Sequence, residues 1–274
     1  MGYKLSAATC THPGKVRKVN EDSVFTFVRP SEKGEALGLL IVADGIGGHK
    51  AGDIASKIAV DTVFNQLQWF LDRDSSDDTK PLNMDTSSKI NSAIGENFLE
   101  TRLRGAIEAA NVNILEFAHQ NPQQAGNMGT TMTCALVWGK HLVLAHIGDS
   151  RAYLFRKSEL TQLSDDHSFV GQMVRDGQLP FEAYYVHPRR NVITRALGQF
   201  DDAQIDISTS TLENGDKLIL CSDGLWEMVR NPDIENLLLK EENLDKLSES
   251  LIELANKNGG SDNISVVIGE VSKS

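Results

Sequence analysis

Six runs of nearly unbroken apolar or β-branched residues punctuate the chain: SVFTFV, LGLLIVADG, TTMTCALVWG, HLVLAHIGDSRAYLF, DKLILCSDG and NISVVIGEV. They are rich in Val, Ile, Leu, Phe and Thr and are bounded by Gly, Asp or Asn, the pattern of strands that stop at turns. Several show no alternation of polar and apolar positions, so both faces of those strands are expected to be covered. Between the second and third runs the period changes. From Gly52 to Leu71 the residues Ile54, Ile58, Val63, Leu67 and Leu71 fall close to one stripe at helical spacing. From Lys89 to His119 the residues Ile94, Phe98, Leu103, Ile107, Ala110, Ile114 and Phe117 predict a second helix. The segment between them, DRDSSDDTKPLNMDTSS, is polar, acidic and broken by Pro81, and predicts an exposed loop near 72–90. A third helical region is predicted over 232–256, with Ile234, Leu237, Leu238, Leu247, Leu251 and Leu254 toward the core.

Strands cluster before and after the helix pair instead of alternating with helices. That pattern argues against a parallel nucleotide-binding sheet and for a sheet-based core with helices packed outside. The 274 residues suffice for one large domain or two small ones. One domain, 1–274, is expected, because the motifs described next draw on the whole length.

Composition narrows the partners. Apolar residues make up 40% and charged residues 24%, ordinary for a globular protein, but the formal net charge is −11. So acidic a surface disfavours nucleic acid and anionic membranes. The opening MGYKLSAATC lacks a basic segment followed by an apolar stretch, and no run of about 18 apolar residues occurs. Cys10, Cys134 and Cys221 are far apart and odd in number, which predicts three reduced thiols and neither a disulfide framework nor a zinc site. A cytoplasmic monomer is the expectation.

The candidate chemistry lies in acidic residues at strand ends. Asp44 follows LLIVA, Asp223 follows LILCS, and Asp262 precedes NISVVIGEV. Asp149 lies inside a long apolar run and is expected at a hairpin turn, while Glu21 and Asp22 abut the start of SVFTFV. A single Asp-Gly is more often a turn than a ligand, as at Asp176-Gly177. Several such residues bordering buried strands are another matter, because unpaired carboxylates gathered there would be costly. Hard divalent cations need oxygen ligands from several points of a stiff frame. Two cations roughly 3.5–4 Å apart could share one carboxylate and hold a bridging hydroxide as nucleophile near neutral pH. Arg17, four residues before Glu21, is the candidate for gripping phosphate oxygens.

Taken together, GKVRKVNEDS, VADGIGGH, GTTMTCALV, HIGDSRAYL, LTQLSDDHS, ITRALG, LCSDGLWE and GGSDNISVVI resemble, in content and order, the metal-dependent protein phosphatases of the protein phosphatase 2C (PPM) type, in their compact bacterial branch. The resemblance implies an α+β fold: a β-sandwich of two antiparallel sheets flanked by helices, in four αββα layers. It implies hydrolysis of phosphoserine and phosphothreonine in proteins, the substrates of a serine/threonine kinase. It implies two Mn²⁺ or Mg²⁺ ions at the core and a third, weaker one. By motif position, Asp44 would bridge both metals and the Gly45 carbonyl would be a backbone ligand. Asp223 and Asp262 would be direct ligands, and Glu21 and Asp22 would act through water. Arg17 would bind phosphate, and Asp149 would join Asp223 at the third site. The stretch 167–190 would be a flap beside the cleft that influences substrate choice.

Two departures stand out. Many animal relatives carry a histidine, proposed as general acid, where this chain has Ile46. His49 is near but does not match that position, and it is read as structural or as a support behind the metal ligands. Many bacterial relatives carry aspartate where His12 stands. Three rival readings compete. Cys10 and Arg17 suggest a cysteine-nucleophile phosphatase, but six residues separate them where that class needs five, and THPGKV has one glycine for a phosphate cradle. A non-catalytic relative would have lost ligands that this chain retains. A nuclease or phosphodiesterase is disfavoured by the lack of a basic groove.

Overall fold

The computed structural model describes residues 2–29, 36–47, 51–72 and 92–273. Two five-stranded antiparallel sheets stack face to face. The first runs in the order β1 (Tyr3–His12), β12 (Ile264–Lys273), β11 (Lys217–Cys221), β8 (Arg151–Arg156) and β9 (Glu159–Gln162). The second runs β10 (Asp206–Thr211), β7 (His141–Ile147), β6 (Met132–Trp138), β3 (Leu37–Ala43) and β2 (Ser23–Arg29). A short ladder pairs β4 (Gly45–Ile46) with β5 (Gly129–Thr130) beyond the end of β3. Two long helices, α1 (Gly52–Leu71) and α2 (Ser92–Gln120), cover the second sheet, with the one-turn α3 (Pro122–Ala125) after them. The outer face of the first sheet carries α4 (Phe169–Arg175), α5 (Ala183–Val186), α6 (Asp223–Trp226), α7 (Asn231–Lys240) and α8 (Leu244–Lys257).

This layering explains why the central strands are apolar at every position. Successive side chains of a strand point to opposite faces. In β3, Leu39, Ile41 and Ala43 pack under the two long helices, while Leu40 and Val42 face the other sheet. In β12, Ile264, Val266 and Ile268 pack under the opposite helices, while Val267 and Val271 face inward. The α+β four-layer sandwich expected from the resemblance is the fold observed.

Three details differ from the sequence expectation. First, the run HLVLAHIGDSRAYLF is not a hairpin. Its halves, β7 and β8, belong to different sheets, and Gly148–Ser150 carries the chain from one to the other. Second, the helical region at 232–256 is two helices. Asn243 accepts a hydrogen bond from the Lys246 N–H at 3.0 Å, so it caps a new helix where one continuous helix was expected. Third, β1, β9 and β10 are not marked by apolar runs. β10 reads DISTST and is mostly exposed at a sheet edge. The expected loop near 72–90 and His49 fall almost wholly or wholly outside the described residues.

Candidate metal and phosphate site

The acidic positions collect at one end of the sandwich. Ser23 pairs with Ala43 across β2 and β3, so Asp22 and Asp44, each one residue beyond, sit side by side at the end of the second sheet. In the first sheet Cys221 pairs with both Arg151 and Val266. Asp223, two residues past Cys221, and Asp149, two residues before Arg151, therefore leave the sheet at that end. Asp262 leads into β12 from the same side.

Backbone and hydroxyl groups fix these positions. The Asp44 N–H donates to Thr131 Oγ1 at 2.9 Å, and the Asp44 carbonyl accepts from the Thr131 N–H at 2.9 Å and the Thr130 hydroxyl at 2.8 Å. Thr131 Oγ1 lies 2.7 Å from Ser150 Oγ, which ties the Asp44 turn to the crossover carrying Asp149. Ser222 Oγ donates to Asp22 Oδ2 at 2.8 Å and accepts from the Ser265 N–H at 3.0 Å, linking the sheets. Trp226 Nε1 donates to the Asp149 carbonyl at 3.0 Å. Gly45 is pressed between strand and helix: a Cβ there would fall 2.2 Å from the Gly52 carbonyl oxygen and 2.6 Å from that of Glu21.

Arg17 and Glu21 lie in the loop between β1 and β2, and Asn263 holds that loop. Its side-chain amide donates to the carbonyls of Pro13 at 3.0 Å and Val19 at 2.9 Å, and its Oδ1 accepts from the Glu21 N–H at 2.8 Å. Arg17 Nη2 donates to Asp262 Oδ2 at 2.6 Å, a bond that raises the arginine pKa. Sequence reasoning missed Asn263, Ser222, Thr131 and Ser150. The asparagine directly after Asp262 was the one visible signal.

The carboxylates feel one another. Enclosure raises the Asp44 pKa well above the ordinary range, and Asp22, Asp223, Asp149 and Asp262 add to the rise. Asp223 is raised in the same way, by enclosure first and then by Asp149 and Asp262. Burial brings Asp22 up to about 6 and Asp149 up to about 7. Among the described residues, no three His, Cys, Asp or Glu side chains close around one point as a bound ion requires. The carboxylates are neighbours, but Asp262 is turned onto Arg17 and one oxygen of Asp22 onto Ser222. Asp22 Oδ1 and Asp149 Oδ1 are buried with no hydrogen-bond partner. Acceptor-only oxygens left unpaired in a repelling cluster are costly, and a hard divalent cation is the group that relieves them. The donor set, all oxygen, fits Mn²⁺ or Mg²⁺.

A buried arginine backs the cluster. Arg151, next to Ser150, makes a double hydrogen bond to Asp166, with Nη2 2.7 Å from Oδ2 and both side chains fully buried. Its guanidinium also stacks 3.6 Å from the Trp226 ring centre. The three thiols are free; Cys134 and Cys221 are buried, and burial raises the Cys10 thiol, which makes it a weaker nucleophile at neutral pH.

Comparison with known proteins agrees with this geometry. Residues 15–265 match the family described as protein phosphatase 2C. A serine/threonine phosphatase from Listeria welshimeri is 34% identical over 95% of this chain and 93% of its own. The crystal structure of the Mycobacterium tuberculosis serine/threonine phosphatase PstP superposes with a TM-score of 0.78 at 34% identity, covering 98% of this chain and 99% of that one. The catalytic domain of PstP, in complex with two manganese ions, superposes at 0.76 with 34% identity over 99% and 100% of the two chains. With the sandwich, the carboxylates at its rim and a family match across most of its length in agreement, the chain belongs to the protein phosphatase 2C family.

Proposed function

We infer that this chain is a metal-dependent protein serine/threonine phosphatase, which hydrolyses phosphoserine and phosphothreonine in other proteins. The observation that carries the reading is the set of acidic residues delivered by both sheets to one rim, in a chain that matches the family from 15 to 265. Manganese or magnesium, two ions at the core, supplies positive charge that activates water and offsets the charge of the phosphate.

The residues divide the work. Asp44, Asp223 and Asp262, with the Gly45 carbonyl, would hold the core ions, and Glu21 and Asp22 would act on them through water. Asp149 and Asp223 hold a third, weaker ion, a reading supported by the unpartnered Asp149 Oδ1. Arg17 binds the phosphate; its guanidinium is half exposed and can swing from Asp262 to two phosphate oxygens. Ile46 has no proton to give, so the donor to the leaving oxygen is unassigned among the side chains, with water as the substitute. The stretch 167–190, which contains α4 and α5, is the flap beside the cleft.

The finer reading is a cytoplasmic monomer of one domain that reverses a serine/threonine kinase. Among the described residues no helix is long and apolar enough to cross a membrane. The decisive experiment is hydrolysis of a phosphothreonine peptide with manganese and then with excess chelator. Phosphate release that persists in chelator would sink the reading, and so would preference for a phosphodiester.

A further inference from the structure

Gly148, the residue before Asp149, has every backbone polar group held. Its carbonyl accepts from the backbone N–H of His167 at 2.7 Å and faces Nε2 of His146 at 3.0 Å. Its N–H donates to Nδ1 of His167 at 3.2 Å. Its φ of +112° and the 2.5 Å that would separate an added Cβ from Thr131 leave no room for another residue type.

The hydrogen-bond partners favour one tautomer in each ring. A backbone N–H can only donate, so Nδ1 of His167 carries no proton. Nε2 then carries it and donates to Asp206 Oδ2 at 2.9 Å; Arg195 Nη1, itself a donor, stands 3.2 Å from the same nitrogen and spends its hydrogen on Asp206. Asp206 is held in turn by Arg195, Nη1 to Oδ1 at 3.1 Å. Nε2 of His146 faces two carbonyls, Gly148 and Asp165, so it is the protonated nitrogen, and Nδ1 accepts from the Thr133 hydroxyl at 3.0 Å. Burial favours the neutral form of both rings, lowering His146 to about 3 and His167 below its ordinary value.

His167 also opens the flap. Its carbonyl accepts from the Thr194 N–H at 2.8 Å, and the Phe169 N–H donates to the Val192 carbonyl at 2.8 Å, so the two stems of the stretch are joined there. We propose that His167, its tautomer set by Asp206, is a positioning residue that holds the Gly148–Asp149 peptide in place for the weakest-bound ion and ties that carboxylate to the base of the flap. The proposal rests on the reading of Asp149 given above. Partners that orient a metal ligand without touching the ion typically alter affinity by about 10–100-fold.

The test is direct manganese binding, by calorimetry and by the electron paramagnetic resonance signal of free Mn²⁺. It uses the full chain and His167→Asn, His167→Gln and Asp149→Asn. An asparagine amide oxygen can stand where Nδ1 stands; a glutamine mimics Nε2 and leaves the Gly148 N–H without its acceptor. The expected result is about a tenfold loss of affinity for the weakest ion in His167→Gln, with the two tighter ions unchanged and most of the loss recovered in His167→Asn. Should Asp149→Asn remove the weakest ion while His167→Gln leaves it in place, the proposal falls and the reading of Asp149 stands. Should Asp149→Asn leave that ion bound, both fall. The ¹⁵N ring shifts of the unmodified protein give a check that no folding defect can confuse: a proton on Nδ1 of His167 would overturn the proposal.

Discussion

Arg17 Nη2 lies 2.6 Å from Asp262 Oδ2 and joins two ends of the chain 245 residues apart. The phosphate-binding candidate thus rests on a metal-binding candidate, and an incoming phosphate has to take the arginine over. Arg17→Ala should raise KM about tenfold with a smaller change in kcat, as expected when a charge-assisted contact worth about 1.5–3 kcal/mol to the bound phosphate is lost. Steady-state kinetics on a phosphothreonine peptide would show it. A large fall in kcat at unchanged KM would instead place Arg17 in the chemical step.

Asp44→Asn, Asp223→Asn and Asp262→Asn each remove a charge while keeping the side-chain shape. Turnover should fall by about 10³-fold, the several kcal/mol that a correctly held metal ion contributes. Circular dichroism should be unchanged. Near-normal turnover in Asp44→Asn would remove it from the centre of the site.

Without metal, the raised carboxylates give a signed pH dependence. Asp22 and Asp149 have folded pKa values of about 6 and about 7 against an ordinary 3.8. The folded state therefore holds protons that the unfolded state has released between pH 4 and 7, so stability falls as pH rises through that window. His146, lowered to about 3, works in the opposite sense, and its contribution is lost as pH falls below 6.5. Thermal melts in chelator should show Asp149→Asn more stable than the parent protein at pH 8, with the difference vanishing near pH 4. A constant difference across that range would contradict the assignment.

Arg151 and Asp166 form a pair with both side chains fully buried. Arg151→Met alone strands a buried carboxylate and should cost about 3–5 kcal/mol, whereas Arg151→Met with Asp166→Leu should recover much of the loss. Urea unfolding of the two variants measures this. Equal destabilisation would mean that the stacking on Trp226 matters more than the charge.

Most of the sandwich was legible because its inner strands are buried on both faces, and a continuous apolar run such as LGLLIVA fits little besides a covered strand. The edges were not. β9 is four residues long, and β10 is Ser/Thr-rich and solvated, so composition alone reads each as loop. The acidic residues were visible from their place at strand ends. The side chains that hold them were not, because Thr131 reads as an ordinary strand residue, Ser150 and Ser222 look like turn residues and Asn263 like a cap. HLVLAHIGDSRAYLF reads as a hairpin because a chain that changes sheets and a chain that doubles back share the same Gly-Asp signal. Which it is depends on pairing partners far away in sequence, β11 for the second half and β10 for the first.

Asp22 and Asp44 ride on one sheet, and Asp223 and Asp262 on the other. The gap between these negative charges is therefore set by how far apart the two layers stand, much as caliper jaws are set by their beam. Side chains in the middle of the beam, such as Leu40 and Val267, touch no phosphate and no ion, yet their bulk fixes the aperture. A change of volume there would register at the rim as a preference for a larger or a smaller cation.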